Sequence, residues 1–214
     1  MTRPARPPVR AAVLIAAVFL STGAGLVAYF LSGVSLPLGI GAALLASGGV
    51  AVAVWRRLTP AQRATVLSRV WIGLRAGAAA TVAYDVTRFV VVKAFGLSVN
   101  PYAALPLFGQ LLLSQTESTP ATVATGVAYH VANGVGFGTA YAVVLADRGI
   151  LAGVAWALVL EAAMLTFYPG WLDIRAIGEF FSLTLLGHVA YGATLGWLSR
   201  RLAPRPAVAP AVAS

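Results

Sequence analysis

Four ionisable residues stand inside long apolar stretches of this chain: Asp85, His130, Glu161 and His188. Carboxylates and imidazoles exchange protons near neutral pH once burial disfavours their charged forms. The histidines sit in related contexts. His130-Val131-Ala132-Asn133-Gly134 with Gly138 downstream recurs 58 residues later as His188-Val189-Ala190-Tyr191-Gly192 with Gly196. Residues three, four and eight apart share a helix face. His130, Asn133, Gly134 and Gly138 therefore make one stripe, and His188, Tyr191, Gly192 and Gly196 another. Each imidazole then has a polar neighbour one turn away and a glycine seam beyond it. Such a seam lets a second helix come close, or leaves room for a flat ligand.

The elements that must position these groups are set by composition. Hydrophobic residues make up 59% of the 214 and charged residues 10%, with a mean hydropathy of +0.86. A soluble domain of this size could not hide so much apolar surface, so lipid is the expected solvent for most of the chain. The net charge of +9 comes from arginines at the ends of apolar runs. There they read as topology signals and contacts to anionic headgroups. With no basic stripe carrying interleaved aromatics, nucleic acid is not an expected partner. The absence of cysteine removes thiol redox chemistry, iron–sulfur clusters and Cys zinc sites.

The expected fold class is all-α, a polytopic membrane protein of about six transmembrane helices. A basic leader (1–10) precedes an N-terminal transmembrane hairpin (11–55) of Ala11 to Leu31 and Leu38 to Trp55. A cytoplasmic loop (56–69) follows, where Thr59-Pro60 reads as the start of a short surface helix. The four-helix membrane core (70–199) has helices from Val70 to Phe95, Ala121 to Leu145, Ile150 to Tyr168 and Ile177 to Leu198. The piece at 103–113 is too short to span and suits a re-entrant or interfacial segment. Residues 200–214 form a tail.

With both termini inside, Arg3, Arg6, Arg10, Arg56, Arg57, Arg63, Arg69, Arg148, Arg200, Arg201 and Arg205 fall on one side, as the positive-inside rule requires. Gly77 precedes Asp85, and Gly153 precedes Glu161, by the same eight positions. The third and fourth helices, and the fifth and sixth, thus read as parallel copies of one hairpin, each with an acid on its first helix and a histidine on its second. All four ionisable groups lie roughly 10–15 Å below the outer ends of their helices. Facing lipid at that depth costs about 2.5–3.5 kcal/mol per charge, so mutual pairing is the cheaper arrangement. For Asp85 the competing partner is Arg88 in its own helix.

Three functions are compatible with this centre. It binds or relays protons, with or without a transported solute, using Asp85, His130, Asn133, Glu161, His188 and Tyr191. Alternatively, His130 and His188 ligate a haem b iron from both sides, or a metal ion sits among the acids and imidazoles. In the third, the polar groups only specify helix packing in a non-catalytic scaffold. No hydrolase triad, phosphate loop, dinucleotide fingerprint or HExxH motif is present.

From residue 73 to 202 the layout resembles the YagU-like family, small bacterial inner-membrane proteins associated with acid resistance. The resemblance is carried by Gly73-Leu74-Arg75-Ala76-Gly77, by His130 followed by Gly138 and Tyr141, by the Gly-rich start of the fifth helix, and by Glu179 followed by Gly187-His188 before Arg200-Arg201. The hairpin at 11–55 lies outside it. The likeness implies the bacterial inner membrane and an acid-stress or proton-linked role.

Overall fold

The computed structural model describes residues 6–204; Arg3 of the leader and Arg205 with the Ala/Pro/Val tail lie outside the described residues. Those residues are helical throughout their regular structure: α1 (Val9–Ala16), a 3₁₀ turn (Ala17–Leu20), α2 (Ser21–Ser32), α3 (Leu36–Arg57), α4 (Pro60–Phe95), α5 (Ala104–Leu113), α6 (Pro120–Leu145), α7 (Ile150–Trp171) and α8 (Ile177–Leu202).

Local chemistry starts and stops them. Thr59 caps α4 and Thr119 caps α6, each in a reciprocal box with the residue three positions on, and each is followed by a proline in the first turn. Proline suits that position because its missing N–H would have no helical partner there. Gly96 closes α4 with φ 61°, a left-handed conformation that glycine adopts without penalty.

Three boundaries differ from the sequence expectation. The stretch at 56–69 is not a loop with its own short helix. Nothing between Pro60 and Phe95 stops propagation, so one 36-residue helix results, about 54 Å long and well beyond a hydrocarbon core of about 30 Å. The first apolar run is broken into α1 and α2 by the 3₁₀ turn at Ala17–Leu20, although it has no proline or glycine there. There the carbonyl of Phe19 comes within 2.6 Å of the place a Cβ on Gly136 of α6 would occupy. Finally, α7 runs through Pro169 to Trp171, whose ring packs against Phe30 and Phe108 at 5.4 Å each.

Val9–Ser32, Leu36–Arg57 and Ile150–Trp171 are long and apolar enough to cross a membrane. Their outward faces match that reading: Leu45 on α3 is 81% exposed and Leu151 on α7 is 85% exposed. A contiguous apolar exterior of this kind is stable in lipid and not in water. Asp85 on α4, His130 on α6, Glu161 on α7 and His188 on α8 are turned toward one another. α4 packs on α6 and on α8, α7 packs on α8, and α5 lies against α6.

One end of the bundle gathers the arginines. Asp147, just beyond α6, pairs with Arg6 at 3.1 Å and Arg69 at 2.9 Å, and the Arg200 side chain lies against Gly149.

Candidate functional site

Glycine at the helix crossings sets how closely the acid-bearing and histidine-bearing helices approach. A Cβ on Gly77 of α4 would stand 3.0 Å from the Val135 carbonyl and 3.3 Å from the Gly138 Cα of α6. On α7, a Cβ on Gly153 would meet the Gly192 carbonyl and, at 2.8 Å, the backbone of Gly196 on α8. From each crossing the helices run eight residues to an acid on one side and eight to an imidazole on the other, which brings the two side chains together.

His130 Nε2 lies 3.1 Å from both carboxylate oxygens of Asp85. His188 Nδ1 lies 2.6 Å from Glu161 Oε2. The second pair is the more deeply buried, with side chains 11% and 4% exposed against 21% and 29% for His130 and Asp85. Thr184, one turn before His188, donates its hydroxyl to Glu161 Oε1 at 2.7 Å. The Thr184 carbonyl stands 3.0 Å from His188 Nδ1. A proton on Nδ1 is directed at that carbonyl, so Glu161 Oε2 is close to the ring but has no aligned donor.

Tyr84 joins the pairs: its ring centroid is 6.0 Å from that of His130 and 4.9 Å from that of His188. A cavity of about 640 Å³ opens beside them, lined by both imidazoles, Tyr84, Arg88, Asn133, Tyr191 and the segments 98–105 and 172–176. The carboxylates of Asp85 and Glu161 stand behind the imidazoles and are not part of that wall.

The structure thus brings all four ionisable residues into one neighbourhood as two pairs. It does not give Asn133 and Tyr191 the role of hydrogen-bonding neighbours to the histidines. Tyr191 donates to the Gly134 carbonyl at 2.6 Å, tying α8 to α6, and Asn133 Oδ1 is buried without a hydrogen-bond partner. Nor does Arg88 pair with Asp85. Its side chain is buried, with the guanidinium carbon 4.7 Å from the centre of the Tyr84 ring, and Nη2 donates to the Pro101 carbonyl.

Thr184 is the site residue that sequence reasoning passed over, although it was detectable as a hydroxyl one turn from His188. Arg88 reads in the sequence as an intrahelical partner of Asp85, and its contacts with Tyr84 and the Pro101 carbonyl show otherwise.

For a cofactor the fit is poor. No group of three His, Asp or Glu side chains able to hold a metal ion occurs among the described residues. His130 Nε2 and His188 Nδ1 are each turned toward a carboxylate, and Tyr84 packs against both rings, so a macrocycle bound between the histidines would have to displace it.

At the end of the bundle opposite the Asp147–arginine cluster, Glu179 Oε2 accepts from the Ser98 hydroxyl and the Ser98 N–H, both at 2.8 Å, and from the Val99 N–H at 3.3 Å. The Ser98 hydroxyl, then its N–H, hold this carboxyl below the usual carboxylate range. A depressed folded-state value means the latch is fully present above the unfolded value of 4.5 and is lost only as pH falls through the lower, folded one. Glu179→Ala is expected to speed amide exchange at Ser98 and Val99 about tenfold at pH 7, read by hydrogen-exchange mass spectrometry, with exchange in the α4–α6 crossing unchanged.

No curated protein and no solved structure matches the chain. Both acid–imidazole pairs fall within the residues matched by a family profile, 67–209, and the chain belongs to that family, DUF6789, a family of unknown function.

Proposed function

We propose that this is a six-span protein of the bacterial inner membrane whose two acid–imidazole pairs bind and relay protons at mid-depth. The observation that carries the reading is that each imidazole on the cavity wall is backed by a carboxylate from the partner helix of its own hairpin, with Tyr84 touching both rings. Passing a proton from acid to imidazole leaves the net charge of each pair at zero, so relay within a pair adds no net buried charge. The cavity connects this wall to the loops at the outer end, which supplies an aqueous route.

The spans are α1–α2 as one, α3, α4, α6, α7 and α8, with α5 as a re-entrant or interfacial segment. Both termini are cytoplasmic. The gathering of Arg6, Arg63, Arg69, Arg148 and Arg200 near one end favours that orientation and contact with anionic headgroups. The two hairpins α4–α6 and α7–α8 are copies of one unit. Supporting this, Gly77 and Gly153 occupy the same place relative to Asp85 and Glu161, and Gly138 and Gly196 relative to His130 and His188. The YagU-like resemblance points the same way, toward acid stress.

The test is proton flux into liposomes reconstituted with purified protein, read with an internal pH dye. Glu161→Gln and His188→Gln are each expected to reduce flux by about tenfold or more. A parent protein without flux, or variants that conduct as the parent does, overturns the relay and leaves the polar centre a packing role.

A further inference from the structure

Arg88 is a buried cation that makes no ion pair among the described residues. It is 8% exposed, no carboxylate lies within ion-pair distance of it among the described residues, and its Nε is buried without a partner. The Pro101 carbonyl and the Tyr84 ring partly compensate the guanidinium, but neither carries a charge. The guanidinium thus reaches the cavity wall without an ion-paired carboxylate. A buried charge is stable only when matched.

Much of the remaining wall is apolar and aromatic, including Leu26, Phe30, Phe108, Phe137, Phe167 and Phe180. At about 640 Å³ the space falls in the range of small-molecule sites, roughly 300–1,000 Å³. Its mouth is built from the inter-helical segments 98–105 and 172–176, where Asp173 and Arg175 are exposed to solvent, 88% and 92%. That arrangement admits a ligand from water.

We infer that the cavity binds a water-soluble organic monocarboxylate with an apolar body, its carboxylate on the Arg88 guanidinium and its body among the phenylalanines. A single guanidinium with free donors matches a planar carboxylate by geometry as well as charge. An amine would place a second cation beside the buried guanidinium. The inference extends the proton reading by naming the solute class that shares the site with the imidazoles.

The probe is 4-phenylbutyrate, with 4-phenylbutylamine and 4-phenylbutanol as controls of the same body, titrated calorimetrically into the full chain in nanodiscs at pH 7.5. The carboxylate is expected to bind saturably, and both controls at least about tenfold more weakly. Arg88→Gln should weaken the carboxylate by about tenfold or more, and Arg88→Lys by less. Should Arg88→Gln fail to fold, Ala163→Trp, which fills the cavity wall and leaves Arg88 intact, is expected to abolish binding. Equal binding of amine or alcohol, or undiminished binding in a folded Arg88→Gln or Ala163→Trp protein, overturns the inference. These titrations use no pH gradient, so the two readings fail separately. A parent that binds the carboxylate but conducts no protons keeps this one, and a parent that conducts but does not bind keeps only the relay.

Discussion

Gly153→Val is expected to leave little folded protein. A Cβ at this position already meets the Gly192 carbonyl and the backbone of Gly196, and backbone cannot rotate aside as a flexible side chain can. The helices α7 and α8 would have to separate by an ångström or more, and that separation would open the Glu161–His188 contact of 2.6 Å. Overpacking of a close interface costs about 1–3 kcal/mol, and more where neither side can give. The measurement is the folded, monodisperse fraction after detergent extraction, with a thermal melt of what remains. Gly41→Ala is the counterpart: nothing lies within 4 Å of its added Cβ, and alanine is the better helix former by about 1 kcal/mol. That variant is expected to melt at the parent temperature or above. If both variants behave alike, the glycine crossing does not set the separation of these helices.

The second large effect concerns the buried pair. His188→Ala is expected to destabilise the protein by about 3–5 kcal/mol, because it strands the Glu161 carboxylate, 4% exposed, beside a single hydroxyl donor. The double variant Glu161→Leu with His188→Ala should recover most of that loss, since an apolar pair of adequate volume needs no charge matched. A double-mutant cycle in a chemical or thermal unfolding assay reads the coupling. By contrast, Arg175→Ala at the solvent-exposed pair with Asp173, 3.9 Å apart, should change stability by less than about 1 kcal/mol. An uncoupled His188–Glu161 cycle would mean that the two groups do not sense one another, and the proton reading would lose its better-buried half.

The two effects separate structure from function. The Gly153 substitution acts on the helix crossing, while the His188 cycle acts on the polar groups the crossing positions. A protein tolerant of the paired apolar replacement yet dead in proton flux would place Glu161 and His188 in function and not in folding. Helical pairs of this kind carry stability through packing, and the polar pair adds direction to that packing.

Most of the helical layout was legible along the chain because its signals are local. Thr59-Pro60 and Thr119-Pro120 mark helix starts, Gly96 marks an end, and apolar runs give the lengths. Asp85, His130, Glu161 and His188 stood out because ionisable groups in apolar runs are rare, and the equal glycine offsets suggested which helices would cross. The 3₁₀ turn at Ala17–Leu20 was not legible, since no proline or glycine marks it. The continuation of α4 back to Pro60 was missed because a polar, arginine-rich stretch reads as a loop when its neighbours are unknown. Arg88 and Thr184 depend wholly on what packs against them.

What the sequence alone determined is therefore an all-helical chain, apolar enough for lipid, with four protonatable groups that had to avoid it. Only the tertiary structure decided that Asp85 meets His130 and Glu161 meets His188, that the acids stand behind the imidazoles, and that Arg88 lines a cavity without an ion-pair partner among the described residues. The reason is physical. Helix formation and burial preference act over a few residues, whereas the partner of a buried charge is set by which backbones can touch, and here glycines on separate helices make that choice.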